Sequence, residues 1–171
     1  MFKSTLIAMA LALGAPLLAQ NKPAFEQPIL ITSAGQSADG QLAAVLVKKA
    51  AAKDLAGHKT LVLVLGASMK GLGAAGLDTA KEKDRIKGLL AAAKAQFIPV
   101  LCLHLGGEAR RGELTDAMVA EYLPSAKMAI VVKSGDKDGL FTRIAKDKGV
   151  SLIEVDKTLD AVPPLKAAFA K

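Results

Sequence analysis

The chain has 171 residues, 51% hydrophobic but only 4% aromatic, with 23 Lys and Arg against 16 Asp and Glu for a formal net charge of +7. That length suits one domain with one sizeable core. The scarce aromatics and the absence of a dense Lys/Arg run argue against a nucleic-acid partner, and the single cysteine, Cys102, excludes an intrachain disulfide.

The chain starts with a basic residue, Lys3, an apolar stretch from Leu6 to Gly14, and small or apolar residues at Leu17-Leu18-Ala19. This is the layout of a secretory signal peptide over residues 1–19, with an apolar part too short to span a bilayer. No cysteine lies near the cut, so a lipid anchor is not expected. The protein is therefore expected to be exported, to the periplasm or beyond. Residues 20–27 form a polar leader, and residues 28–171 a single α/β domain.

Five apolar runs follow: Ile29-Leu30-Ile31, Thr60 to Leu65, Phe97 to Leu103, Met128 to Val132, and Val150 to Val155. Each is almost uniformly apolar instead of alternating, as parallel strands buried on both faces are. Helix-like segments separate them: Gly40 to Asp54, Thr79 to Gln96, Glu113 to Leu123, Gly139 to Lys148, and a last one from Pro163 to Ala170. Leu42, Val45, Leu46 and Lys49 recur at helical spacing, as do Ile86, Leu89, Leu90 and Ala93. Asp39, Asp78, Thr115, Asp138 and Asp156 are expected at helix starts, and Gly57 and Gly149 at helix ends. The pattern predicts a single three-layer αβα domain around a five-stranded parallel sheet. A flavodoxin-like strand order, 2-1-3-4-5, is the first expectation and a Rossmann-like order the second.

In such sheets, ligands bind where the strands end, and the unusual residues of this chain gather in those loops. The first loop, Thr32 to Asp39, offers Ser33, Gln36 and Ser37 beside a helix N-terminus, donors suited to an oxyanion. The second, Gly66 to Leu77, is long and carries Ser68 and Lys70 before Gly71-Leu72-Gly73-Ala74-Ala75-Gly76. Those six residues match G-x-G-x-x-G, but the first glycine lies several residues beyond the strand, and the strand is the second one. A dinucleotide site is rejected. So are a nucleophile elbow, because Lys70 stands where glycine is required, and a Walker A loop, because Leu72 stands where lysine is required. A glycine-rich flap carrying Lys70 over a ligand is expected instead, and no cofactor.

The third loop carries most weight: His104-Leu105-Gly106-Gly107-Glu108-Ala109-Arg110-Arg111-Gly112. Arg110 and Arg111 can each clamp a carboxylate or phosphate bidentately, and the paired glycines permit close backbone approach. One arginine is expected to pair with Glu108 or Glu113. Cys102 and His104 share a strand face, with Cys102 read as a buried apolar side chain and His104 as a ligand contact or general base. The fourth loop, Lys133 to Gly139, reads as a solvated turn and not a metal site. His58 precedes the second strand and is expected at the opposite edge.

These blocks, together with Lys137-Asp138-Gly139-Leu140-Phe141, resemble an uncharacterised family of exported bacterial proteins, domain of unknown function number 6305. The resemblance runs from about Pro28 to Phe169 and implies one bacterial α/β domain behind a signal peptide, without implying an activity. The first functional expectation is an exported binder of a small anionic solute, using Ser33, Gln36, Ser37, Ser68, Lys70, His104, Glu108, Arg110 and Arg111. The second is a hydrolase or lyase on a small anionic substrate, with His104 as general base and a serine nucleophile. The third is an accessory scaffold of a membrane-transport or envelope complex. The residues alone do not decide between binding and catalysis.

Overall fold

The computed structural model describes residues 24–46 and 55–170. The expected signal peptide, the leader up to residue 23, and residues 47–54, where the first helix is expected to end, lie outside the described residues. The five apolar runs form five parallel strands: β1 (Ile29–Ala34), β2 (Thr60–Leu65), β3 (Val100–His104), β4 (Met128–Val132) and β5 (Ser151–Val155). In register, Ile31 lies beside Val62, Val62 beside Leu101, Leu101 beside Met128, and Met128 beside Ser151. The chain is thus an α/β domain of three layers.

The strand order differs from both expected orders. It is sequential, β1-β2-β3-β4-β5, with no reversal of direction across the sheet. The consequence is geometric. Crossovers of one hand that step the same way place their helices on one face, as happens from β2 to β5, whereas the helix between β1 and β2 lies on the other face. Accordingly α3 (Thr79–Ala95), α4 (Glu113–Tyr122) and α5 (Leu140–Lys148) all cover one face, packing Ile86, Ala93, Met118, Tyr122 and Phe141 on Leu61, Leu63, Cys102 and Val131. The other face, with Ile31, Val62, Leu101 and Ile130, is covered by Ala43 of α1 (Asp39–Leu46), by Leu165 and Ala168 of α6 (Val162–Ala168), and by Phe25.

The first helix turns a different side inward from the one its leucine and valine spacing suggests. Ala43 is fully buried, whereas Leu42 and Val45 are exposed. Gly40, three residues before Ala43, sets this orientation. A Cβ on Gly40 would lie 2.8 Å from the Ser33 Cβ, so the small side of α1 rests on β1. No helix among the described residues is long and apolar enough to cross a membrane.

Candidate functional site

The loop after β1 owes its shape to a carboxylate on α3. Gly35 turns at φ +102° with no room for a side chain, because its Cβ would lie 2.6 Å from the Ala67 Cα. Its N–H donates to Glu82 Oε1 at 2.8 Å, and the Gln36 amide donates to both oxygens of Glu82 at 3.2 Å. Arg85 closes the cluster. Its Nε and Nη2 donate to Glu82 at 2.8 and 2.9 Å, while Nη1 and Nη2 reach Thr32 Oγ1 and the Ser33 carbonyl at 3.0 and 2.6 Å. Burial pushes the Glu82 carboxyl up. The donors from Arg85, Gly35 and Gln36 outweigh that and leave it below its ordinary value.

The second loop is not a flap. Residues Met69–Ala74 form a short helix, α2, capped by Ser68, whose Oγ accepts from the Gly71 N–H at 3.1 Å. Leu72 anchors this helix in the interior with no exposed surface. Gly71 is required by close contact, since a Cβ there would sit 1.9 Å from the Gln36 carbonyl oxygen. The glycines in this segment therefore serve packing between α2 and the first loop.

Between the first loop, α1 and α2 lies a groove of about 780 Å³. Six of the nine sequence-selected binding residues line it: Ser33, Gln36, Ser37, Ser68, Lys70 and Arg110. Arg110 comes from a 3-10 turn after β3 (Gly107–Arg110), so the ends of β1 and β3 meet across the end of β2. Two glycines make room for this. A Cβ on Gly66 would lie 3.0 Å from Ser37 Oγ, and one on Gly106 would lie 2.7 Å from Asp39 Oδ2. Arg110 Nε sits 3.5 Å from Asp39 Oδ2, too long for a strong hydrogen bond. Among the described residues neither Lys70 nor the Arg110 Nη groups meet an acceptor, and Ser37 Oγ and Asp39 Oδ2 are buried without a hydrogen-bond partner.

The other three selected residues lie elsewhere. His104 is fully buried, with Nδ1 2.9 Å from the Leu65 carbonyl oxygen, Nε2 3.0 Å from that of Gly107, and its ring 4.9 Å from Phe141. Neither nitrogen opens to the groove, so the expected contact with a ligand is corrected to a structural one. Arg111 points away from Arg110. It holds Asp116 and Asp138, donates to the Gly135 carbonyl, and stacks over Phe141 at 5.8 Å. These carboxylates, not Glu108 or Glu113, are its partners. Glu108 pairs with Lys137 on the surface. Of the paired glycines, Gly107 serves His104 and the fourth loop: it turns at φ +56° to present its carbonyl, and a Cβ there would meet Ser134 Oγ at 2.2 Å.

The remaining assignments sort similarly. Cys102 is buried and its thiol is pushed up to about 12 by burial. Asp138 accepts from the Leu140 N–H at 3.3 Å at the start of α5 as expected, and Asp136 adds the closer contacts, accepting from the N–H groups of Phe141 and Thr142 at 2.7 and 3.0 Å. Thr115 lies inside α4 and accepts from the Ala67 N–H at 3.0 Å instead of starting the helix. Asp156 pairs with Lys133 at 2.9 Å, and Asp78 caps α3 as expected. His58 lines a pocket with Phe25, Phe97 and Lys127, away from the groove. Among the described residues no three His, Cys, Asp or Glu side chains converge as metal ligands.

Glu82, Arg85 and Asp39 shape the site without having been selected for it. Glu82 carried a readable signal, falling four residues before Ile86 on the apolar stripe of α3, where a surface carboxylate does not belong. No curated protein and no solved structure matches the chain. A family model does, over residues 26–169, which takes in every described strand and all of the groove's lining. The chain therefore belongs to the family described as domain of unknown function (DUF6305).

Proposed function

We propose that the protein is an exported binder of a small anionic solute, held in the groove between the first loop, α1 and α2. The observation that carries this reading is that Lys70 of α2 and Arg110 of the turn after β3 line one groove with Ser33, Gln36 and Ser37. The Lys70 ammonium and the uncommitted Nη groups of Arg110, beside the hydroxyls of Ser33 and Ser37, favour a carboxylate or phosphate. Binding is favoured over hydrolysis because His104, the expected general base, is buried against two backbone carbonyls outside the groove.

Titration calorimetry of the secreted chain with succinate, malate and inorganic phosphate tests the proposal. At least one of these anions is expected to bind. Lys70→Ala and Arg110→Ala should each weaken that binding about tenfold, the loss of one charge-assisted hydrogen bond. Absence of binding by all three, or binding indifferent to both substitutions, removes the reading.

A further inference from the structure

Two buried oxygens near the groove lack donors. Ser37 is 5% exposed and Asp39 8% exposed, and Ser37 Oγ and Asp39 Oδ2 have no hydrogen-bond partner. Both lie close to Gly66, where a Cβ would be 3.0 Å from the hydroxyl oxygen and 3.3 Å from the carboxylate oxygen; Ser37 lines the groove, and Asp39 lies behind the lining, beside Arg110. Leaving a buried carboxylate oxygen unmatched is costly, and native structures seldom do so without a functional reason. The Arg110 guanidinium lies over Asp39 at 3.5 Å, a distance that restrains but does not satisfy it.

An anion that only accepts hydrogen bonds fits this arrangement poorly. It would meet Lys70 and Arg110 well, but it would draw Arg110 away and leave Asp39 facing a second negative charge. A ligand with a hydroxyl or ammonium group on the carbon beside its carboxylate resolves the conflict. Its carboxylate takes the cations, and its donor supplies the hydrogen bond that Ser37 and Asp39 lack.

Resting on the anion-binding reading above, we infer that the solute is a small α-hydroxy or α-amino acid, its donor group received by Ser37 Oγ and Asp39 Oδ2 while Arg110 and Lys70 hold its carboxylate. Arg110 is then shared between two roles. In the empty groove it covers Asp39, and with ligand bound it turns to the carboxylate and uncovers the acceptor. Specificity for the donor follows from the unmatched oxygens, because a ligand lacking the group leaves them buried and unsatisfied.

The test compares three four-carbon diacids that differ only at the second carbon: succinate with hydrogen, L-malate with hydroxyl, and L-aspartate with ammonium. Calorimetry on the secreted chain is expected to show malate or aspartate binding at least about tenfold more tightly than succinate. Whichever of the two prevails identifies the donor. Ser37→Ala and Asp39→Ala should each bring the ratio of malate or aspartate affinity to succinate affinity close to one, Asp39→Ala provided its urea midpoint shows it folded. Equal binding of all three diacids, or a preference that survives both substitutions, overturns this inference and leaves anion binding standing. Binding of inorganic phosphate with no diacid bound does the same. If no anion binds at all, both readings fall together.

Discussion

Arg111 and Asp138 meet through two parallel contacts, Nη1 to Oδ1 at 2.9 Å and Nη2 to Oδ2 at 2.8 Å. The same guanidinium also holds Asp116 at the start of α4, so one side chain ties the β3–α4 connection to the β4–α5 loop. Its hydrogen bonds keep both carboxyls below the usual carboxylate range. A carboxyl whose folded value is depressed adds stability that is fully present above its unfolded value and is lost as pH falls through the folded one. The urea midpoint should therefore hold steady near neutrality and decline below about pH 4. Arg111→Ala should lower the midpoint at neutral pH and flatten this acid decline. A wild-type decline that Arg111→Ala leaves unchanged would show that other carboxylates govern it.

Glu82 offers a second test, of how the first loop is held. Its fully buried carboxylate receives Gly35, Gln36 and Arg85 together. Glu82→Ala removes the acceptor for all three and leaves Arg85 without its main partner. The expected cost is about 2–3 kcal/mol, reduced from the figure for a fully buried pair because Arg85 is 30% exposed. The loss should appear in the urea midpoint and, through the loosened loop, as weaker anion binding. A full-strength groove in a destabilised Glu82→Ala would separate the loop from the site.

Much of this architecture is legible in the chain because buried parallel strands have a plain signature, and β2 shows it best with six consecutive buried residues. Strand order is another matter. Each strand-helix unit looks alike locally, and the sequential order is set by contacts among residues far apart in the chain. The site was half legible for a similar reason. Arg110 and Arg111 are adjacent and chemically identical, yet one lines the groove and the other is captured by Asp116 and Asp138. Nothing within a few residues distinguishes them. The α2 glycines suggested mobility because glycine disfavours helix interiors, whereas Gly71 is there to admit the Gln36 carbonyl.

Phe97 sits where α3 ends, in the left-handed region at φ +54° and 93% exposed. The Ile98 N–H closes back on the Ala93 carbonyl at 2.8 Å, the capping bond that ordinarily calls for glycine at this position. A bulky side chain is strained there and buries little in return. Phe97→Gly should raise stability, by a few tenths to about 1 kcal/mol, the gain being trimmed by the extra freedom glycine gives the unfolded chain. A lower urea midpoint in this variant would mean that the ring makes contacts worth more than the strain.

His104 separates a structural from a functional role most sharply. The ring spans two backbone carbonyls, those of Leu65 and Gly107, and a Cβ on Gly135 would press within 2.6 Å of it. His104→Ala leaves a void beside Phe141 and strips one of these carbonyls, whichever faces the ring N–H, of its donor, for an expected loss of about 2–4 kcal/mol. His104→Leu refills much of the volume and restores no donor, so it should recover only the packing share of that loss. In both variants the folded protein should bind anions in the groove as the wild type does, since the ring lies outside it. A variant that keeps its stability but loses anion binding would return His104 to the ligand site and undo the assignment made from its buried hydrogen bonds.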